Sequence, residues 1–278
     1  MLSEMLDLDR FLVRPGQDLD LSKLSPGAGH WIDRDHEEAK EVAQAANLGI
    51  SAELASLQER LHATKSAKVL VVLQGMDTSG KDSTTKRVFG DGSPLGISVA
   101  AFGRPTEEES RHDYLWRVHA HTPSDGEIMI FNRSHYEDVL VVRVDGLVPK
   151  HQWKKRYEHI VDFEQMLVDE GTVIRKFFLH ISRDEQRERL QERVDNPEKH
   201  WKFRKGDLDV RAKWDDYMEA YQEALRRTST KHAPWYVVPA NSKWFRDLVV
   251  GSVVADALDE LHMPWPEPED DIEGLVIE

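Results

Sequence analysis

A glycine-bounded loop followed by a lysine is the stretch of the sequence with the clearest chemistry. Gly75 is followed by four residues and then by Gly80 and Lys81, in the spacing G-x-x-x-x-G-K. A loop of this kind turns its backbone N–H groups, and the positive end of the next helix, towards a bound phosphate. The residues predicted to contact phosphate are Gly75, Thr78, Ser79, Gly80, Lys81, Asp82 and Ser83.

Two carboxylates, Asp77 and Asp82, lie inside this predicted phosphate site. A carboxylate about 5 Å from a phosphate oxygen is repelled by roughly 3 kcal/mol at an effective dielectric constant of about 20. A divalent cation between them removes the repulsion, and Mg²⁺ is commonly held by one or two carboxylates together with substrate phosphates. We therefore predict that Asp77 binds Mg²⁺, the alternative being a solvated loop residue. Asp82 is either a second ligand or a first-turn acid that complements the helix dipole.

An apolar strand precedes the loop, and further strands follow it along the chain. Residues 69–73 are Val, Leu, Val, Val and Leu, a run typical of a strand buried on both faces of a parallel sheet. More strands are predicted over 97–102, 126–131, 173–181 and 236–240, with helical segments between them. This alternation predicts an α/β fold with a parallel five-stranded sheet flanked by helices. Ligands bind at the carboxyl ends of such strands.

The chain divides into three regions by composition and periodicity. Residues 1–67 are predicted to form a helical N-terminal lead-in, and residues 68–262 the core that carries the phosphate loop. Residues 263–278 are acidic and contain proline, and we expect this tail to be flexible.

Helix boundaries are predicted from capping and stop signals. In the lead-in, two helices over 36–46 and 51–62 are separated by a stop at Asn47-Leu48-Gly49. In the core, a capping box at 106–109 predicts that a helix begins there and covers 107–121.

The overall composition excludes several classes of protein. The net charge is −14, which argues against general nucleic-acid binding, since that requires a basic surface. No apolar run approaches the roughly 20 residues of a membrane span, and the first residues lack the pattern of a signal peptide. Because the chain has no cysteine, disulfides are excluded and a reducing compartment is favoured. We expect a cytoplasmic protein.

Positive charge is concentrated in one short segment, 199–205, which reads KHWKFRK. The surrounding stretch, 195–209, lies between two predicted helices, where a lid over phosphates would lie, and we place this lid over about 193–215. Its cations would neutralise the charge of a transferring phosphoryl group: Arg193, Lys199, Lys202, Arg204 and Lys205. The alternative interpretation is a solvated surface loop.

Five stretches together resemble the polyphosphate kinase 2 family: GMDTSGKD at 75–82, FGRPT at 102–106, FNRSHYED at 131–138, RVDNPEKHWKF at 193–203 and WDDY at 214–217. The strand spacing extends the resemblance to about residue 262. It implies a thymidylate-kinase-like P-loop kinase core with a helical lid. It also implies transfer of phosphoryl groups between inorganic polyphosphate and nucleotides with Mg²⁺, or Mn²⁺ in its place.

The resemblance implies roles for individual residues. Catalysis falls to Asp77, Lys81, Arg133 and Arg193, additional phosphate contacts to Lys202 and Arg204, and nucleotide binding to Phe102, Arg104, Asn132 and Glu137. The chain departs from the family pattern at Asn132, where many members have Asp. Because Asn132 brings no negative charge to a metal, we predict that Glu137 replaces it as a ligand beside Asp77. The Glu-bearing form is similar to class III, the subgroup that accepts both nucleoside mono- and diphosphates.

The expected function is therefore conversion of AMP to ADP and of ADP to ATP with polyphosphate. The expected substrates are inorganic polyphosphate and adenine nucleotides, with guanine nucleotides left open, and we expect a homo-oligomer without nucleic-acid or membrane partners. Two alternatives remain: an ATP-dependent nucleotide kinase on the same fold, and a non-catalytic polyphosphate-binding protein. The latter is disfavoured by Asp77, since plain binding requires positive charge but no metal-binding carboxylate.

Overall fold

The computed structural model describes residues 6–30, 36–268 and 276–277. Its centre is a six-stranded sheet in the spatial order β1-β6-β5-β2-β4-β3. The strands are β1 (Leu12–Val13), β2 (Lys68–Gln74), β3 (Ile97–Ala101), β4 (Ile128–Asn132), β5 (Thr172–His180) and β6 (Trp235–Pro239). β1 pairs antiparallel with β6, and all other neighbouring strands are parallel.

The described residues form nine α-helices around this sheet. They are α1 (His36–Thr64), α2 (Lys81–Val88), α3 (Trp116–His119), α4 (Val141–Val144), α5 (Lys150–Asp169), α6 (Arg183–Asp195), α7 (Gly206–Ala212), α8 (Trp214–Thr228) and α9 (Lys243–Asp259). A 3₁₀ helix, Pro197–Lys202, connects α6 to α7. The parallel strands alternate with helices along the chain, as the sequence pattern predicts.

The central strand β2 is covered on both faces. Each residue from Val69 to Leu73 is at most 1% exposed, and these residues pair in register with β4 on one side and β5 on the other. α1 packs along α9, α5 packs along α8, and both α5 and α9 contact β5. The carboxyl end of β2, and with it the phosphate loop, is therefore fixed by the most buried part of the molecule.

The prediction of a five-stranded sheet was wrong, because a sixth strand comes from a segment near the start of the chain. Leu12 lies opposite Tyr236, and Val13 lies opposite Trp235. Val13 is 2% exposed, and its carbonyl oxygen accepts a hydrogen bond from Ser229 Oγ at 2.5 Å. Two residues are too short a run to show the period-2 pattern of a strand, so this strand could not be predicted from its own residues.

The two predicted lead-in helices are one continuous helix, α1. Asn47 does not end the helix, because its side-chain amide donates to the carbonyl oxygen of Trp244 at 2.9 Å, at the start of α9. Ile50 is 2% exposed, and its Cγ2 lies so close to Gly251 of α9 that a Cβ there would meet it at 2.7 Å. Packing along α9 therefore outweighs the local stop signal.

The helix predicted over 107–121 is interrupted. The capping box forms, since Thr106 and Glu109 exchange hydrogen bonds of 2.8 and 3.2 Å, but only a 3₁₀ turn follows it. Asp113 then accepts hydrogen bonds from the backbone N–H groups of Leu115 and Trp116 and starts the separate short helix α3. A second capping side chain inside the segment explains the break.

The structure bears on the predicted absence of membrane spans and on the two ends of the chain. In the part of the chain that is described, no helix combines the length and apolar character of a membrane span. Of the predicted flexible tail, residues 269–275 and 278 lie outside the described residues, as do residues 1–5 and 31–35 of the lead-in.

Candidate active site

The loop between β2 and α2 has a shape that requires glycine at both ends. Gly75 has a φ of +152° and Gly80 a φ of +105°, which are backbone conformations that other residues rarely adopt. A Cβ on Gly75 would lie 2.8 Å from the carbonyl oxygen of Leu179. A Cβ on Gly80 would lie 1.9 Å from Nη1 of Arg246. The loop is therefore folded tightly between β5 and α9.

Lys81 is the first residue of α2, and its side chain folds back under the loop. Its Nζ donates to the carbonyl oxygens of Gly75 at 2.8 Å and Met76 at 3.3 Å. Burial, followed by the charge of Arg133, lowers the pKa of Lys81 to about 8. Three carboxylates act in the opposite direction: Asp77, Glu137 and Asp82. The lysine thus lies among the predicted phosphate and metal ligands, with a pKa that is lowered but still above neutral pH.

Asp77 is paired with an arginine from the neighbouring strand. Its Oδ1 accepts a hydrogen bond of 2.7 Å from Nη2 of Arg133, the residue that follows β4. Arg133 has a φ of +62°, which is unusual for a residue with a side chain. Burial opposes the charge of Arg133, but the carboxylates of Glu137 and Asp77 outweigh it and raise the pKa of the guanidinium. A carboxylate that follows β2 and a guanidinium that follows β4 therefore form an ion pair at the mouth of the loop.

Two amide side chains connect the other polar residues at this end of the sheet. Asn132 donates to Asp82 Oδ1 at 2.6 Å. Gln74, the last residue of β2, donates to Glu137 Oε1 at 3.2 Å and to Ser134 Oγ at 3.1 Å. The carboxyl ends of β2 and β4 thus bring together three of the residues that the sequence predicts for phosphate, metal and nucleotide, namely Asp82, Asn132 and Glu137.

The phosphate loop is also held from α6, by residues that the sequence analysis missed. Arg189 is 8% exposed and donates to the carbonyl oxygens of Thr78 at 2.9 Å and Ser79 at 3.3 Å. The same guanidinium donates to the carbonyl oxygens after β6, at Ala240 and Asn241. The sequence could have indicated such a contact, because α6 is polar almost throughout. A helix of this composition that packs on the core must turn some polar side chains inward.

A buried charge cluster lies beside the connection that carries Glu137. Glu164 and Lys176, both fully buried, form an ion pair. The hydroxyl of Tyr136 donates to Glu164 Oε1 at 2.8 Å and accepts from Lys176 Nζ at 2.9 Å. Burial would raise the pKa of Glu164, but the charge of Lys176 holds it below its ordinary value. The cluster fixes Tyr136 and so the position of the residue that follows it.

The predicted lid consists of the 3₁₀ helix and α7, between α6 and α8. Arg193, in the last turn of α6, donates to the carbonyl oxygen of Lys202 at 3.1 Å. Lys202 and Arg204 are exposed, and the Lys202 ammonium lies 4.9 Å from the ring centroid of Trp201. Lys199 is paired with Glu192. This segment therefore presents exposed positive charge at Lys202 and Arg204, and its role as a phosphate-binding lid stays a prediction.

The structure separates two of the predicted nucleotide residues. Phe102 is 6% exposed, and its ring packs edge-on against Phe131 at a centroid distance of 4.9 Å, whereas Arg104 is exposed.

Nearby, a cleft of about 850 Å³ lies between the 105–117 segment and α5 and is lined by Tyr114, Arg117, Asp138 and Arg156 among others. We refer to it as the α5 cleft.

The carboxyl group of Asp138 in this cleft has a shifted pKa. Burial raises the pKa of Asp138 to about 6, and the nearby guanidinium groups oppose this shift. Its Oδ1 accepts a hydrogen bond of 2.8 Å from Arg156. The α5 cleft therefore begins one residue beyond Glu137 and carries a carboxyl group whose pKa is raised by burial.

The donor set fits a divalent metal that arrives together with phosphate. The described part of the chain contains no group of three or more His, Cys, Asp or Glu residues arranged around one metal position. Mg²⁺ does not need one, because it is usually held by one or two carboxylates, with phosphate and water oxygens as its other ligands. Asp77 and Glu137 both lie close enough to Lys81 for their charges to act on it. Two acids beside a phosphate loop match this requirement.

Comparison with known proteins agrees with the geometry. The family described as Polyphosphate kinase 2 (PPK2) matches residues 36–264. The chain is 53% identical over 271 residues to an AMP/ADP-polyphosphate phosphotransferase of Meiothermus ruber, covering 98% of this chain and 100% of that one. It is 40% identical over 273 residues to an ADP-polyphosphate phosphotransferase of Rhodopseudomonas palustris, covering 93% and 92%. The crystal structure of polyphosphate kinase 2 from Arthrobacter aurescens TC1 superposes with a TM-score of 0.88 at 42% identity, covering 94% of this chain and 92% of that one. The chain belongs to the polyphosphate kinase 2 family.

Proposed function

We propose that this protein transfers phosphoryl groups between inorganic polyphosphate and adenine nucleotides, forming ADP from AMP and ATP from ADP. The observation that carries the proposal is the meeting of Asp77, Lys81 and Arg133 at the mouth of the phosphate loop. The Meiothermus ruber relative, which matches over its full length, is named an AMP/ADP-polyphosphate phosphotransferase. This name supports both acceptors.

Phosphate binding falls to the loop and the lid. The backbone N–H groups of residues 75–83 and the ammonium of Lys81 bind one end of the phosphate chain. In the ligand-free geometry, the lysine donates to carbonyl oxygens of its own loop, and a phosphate oxygen is a stronger acceptor. Arg193, Lys202 and Arg204 contribute positive charge from the lid.

Asp77 and Glu137 hold the divalent metal, Mg²⁺ or Mn²⁺ in its place. The metal supplies positive charge that stabilises the oxygens of an in-line phosphoryl transfer. The negative charges of both acids raise the pKa of Arg133. Its guanidinium therefore stays charged during the reaction. It therefore orients phosphate oxygens and neutralises the charge that develops on them.

The nucleotide binds on the β4 side of the loop. Asn132 and Glu137 face the acceptor phosphate, and the nucleoside occupies the α5 cleft, which begins at Asp138. Arg117 supports this placement, because its guanidinium lies 5.6 Å from the centroid of the Phe102 ring and also lines the cleft. The ring of Phe102 packs against Arg117 and so supports the cleft from the protein interior. Arg104, on the exposed loop after β3, contacts the nucleotide directly.

The test is a reaction of the full-length protein with AMP or ADP, Mg²⁺ and long-chain polyphosphate, in which ADP and ATP are separated by chromatography. Product formation without any added ATP is expected. Turnover that requires ATP as donor would identify an ATP-dependent nucleotide kinase, and binding of polyphosphate without turnover would identify a non-catalytic protein.

Asp77→Asn is the matched variant for the metal assignment. It keeps the side-chain shape and an acceptor for Arg133 but removes the charge, so most turnover should be lost while the unfolding midpoint stays close to that of the wild type. Asp125→Asn, a change of the same type at an exposed position away from the loop, should leave turnover unchanged. Near-normal activity of Asp77→Asn at low Mg²⁺ would exclude Asp77 as a metal ligand.

A further inference from the structure

The lid arginine is anchored by one nitrogen and leaves the others available. Nη1 of Arg193 donates both to the carbonyl oxygen of Lys202 at 3.1 Å and to Oδ2 of Asp207 at 3.4 Å. Among the described residues, neither Nε nor Nη2 of this guanidinium has an acceptor. Arginine binds phosphate oxygens through such paired N–H groups. The anchored side therefore sets the direction in which the remaining donors point.

Asp207 is the unexpected partner in this arrangement. Its side chain is 14% exposed, whereas the other acids of the 193–215 segment, Asp195, Glu198, Asp209 and Asp215, are exposed. It lies close enough to the active site that the charges of Asp77 and Arg133 both act on it. Burial, followed by the charge of Asp77, raises the pKa of Asp207.

A carboxylate at this position opposes the binding of a polyanion. It lies near enough to Asp77 for the charge of that carboxylate to act on it, and it adds to the negative charge there. Its ion-pair partner is Arg193, at 3.4 Å. Asp207 also accepts a hydrogen bond from the backbone N–H of Arg204 at 3.4 Å, so a purely local role in the turn is the competing explanation.

We propose that Asp207 is a positioning residue, whose carboxylate charge orients Arg193 so that its free N–H groups face the transferring phosphoryl group. This inference rests on the proposed function, because Arg193 matters only if phosphate is transferred beneath the lid. It goes beyond that function by assigning a role to an acid that a polyanion site would otherwise exclude. Asp207 acts through Arg193 and does not itself touch the substrate.

The experiment is a double-mutant cycle on Arg193 and Asp207, read by initial rates of ATP formation from ADP and polyphosphate. Asp207→Ala should lower kcat about tenfold, while KM for ADP changes by less than about twofold. In the Arg193→Ala background, the same change should lower kcat by less than about twofold, because the interaction it removes is already absent. An equal loss in both backgrounds would show that Asp207 acts independently of Arg193 and would overturn the proposal.

Asp207→Asn separates charge from local structure. It keeps an oxygen that can accept the hydrogen bond of the Arg204 backbone but has no charge, so kcat should fall nearly as far as in Asp207→Ala, with an unchanged unfolding midpoint. Wild-type kcat in Asp207→Asn would overturn the proposal in favour of a role in the turn. Asp209→Ala, on the same helix but exposed, is the control and should keep wild-type kcat.

The cycle also distinguishes failure of this inference from failure of the proposed function. If the wild-type protein forms no ATP from polyphosphate, the function itself is wrong. If the wild type is active and Arg193→Ala is equally active, the arginine has no role beneath the lid, and the inference about Asp207 fails with it.

Discussion

Replacing Gly80 by alanine tests whether the shape of the phosphate loop depends on the arginine packed against it. A Cβ at this position would lie 1.9 Å from Nη1 of Arg246. Arg246 has no route to solvent, since it is 0% exposed and its Nη2 is paired with Asp247 Oδ1 at 2.6 Å. The new methyl group must therefore displace either the loop or a buried ion pair.

The expected loss of stability follows from these two effects. A left-handed backbone conformation costs a residue with a side chain about 1–2 kcal/mol. Breaking a buried ion pair costs about 3–5 kcal/mol. Gly80→Ala should thus lower the free energy of unfolding by about 4–7 kcal/mol. At about 2 °C or more per kcal/mol for a chain of this size, the unfolding midpoint should fall by roughly 10 °C.

Two other glycines provide matched controls in the same thermal and urea unfolding assays. Gly146 has a φ of +64° with nothing within 4 Å of its Cβ position, and Gly103 has neither a positive φ nor a neighbour within 4 Å. Gly103→Ala should leave stability nearly unchanged, and Gly146→Ala should lose only the backbone contribution. If Gly80→Ala unfolds at the same midpoint as Gly146→Ala, the contact with Arg246 contributes nothing and the explanation is refuted.

Three further outcomes are expected. Glu137→Gln should lower kcat/KM for AMP about tenfold, or about 1.4 kcal/mol of transition-state stabilisation, and that for ADP by less, in initial rates at saturating polyphosphate and fixed free Mg²⁺. Equal factors for the two nucleotides would show that Glu137 does not select the acceptor. Replacing Lys202 and Arg204 together by alanine should raise KM for polyphosphate more than KM for the nucleotide, and should weaken the salt dependence of the former, because exposed charges are screened over a Debye length of about 8 Å at physiological salt. An equal rise of both KM values would argue against a polyphosphate site on the lid. Because burial lowers the pKa of Lys81 to about 8, the free enzyme loses this positive charge as the pH rises through that value. We expect kcat/KM for polyphosphate to fall above this pH by up to about tenfold per unit, while kcat, measured with phosphate bound, falls only at higher pH. A constant kcat/KM up to about pH 9.5 would contradict this.

The sequence predicted the parts of the fold that local patterns encode. The apolar run before Gly75 predicted β2, and the strand pattern predicted a ligand site at the carboxyl ends of the strands, where the structure brings Arg133 and Asp77 to 2.7 Å. Both predictions follow from rules about single strands and about the geometry of parallel sheets.

The parts that the sequence did not predict depend on contacts between distant segments. β1 is a strand because β6 provides a partner, and α1 continues through Asn47 because α9 provides an acceptor. Neither partner can be identified from the residues around the element itself.

The same limit applies to the site. Lys81 and Asp77 were found because they belong to a motif, but Arg189 and Asp207 stand in polar segments without any fixed spacing to the loop. Only the fold brings Arg189 to the carbonyl oxygens of Thr78 and Ser79.

The pairing of early with late elements also constrains how this protein can fold during its synthesis. β1 pairs with β6, and α1 packs along α9, so β1 and α1 are synthesised well before the elements that they pack against. Until α9 is synthesised, Ile50 of α1, which is buried against Gly251 of α9, remains without its partner helix. Contacts between residues so far apart in the chain form slowly, and uncovered apolar surface is where nascent chains aggregate. The sheet that carries the phosphate loop is therefore completed only after β6 has been synthesised.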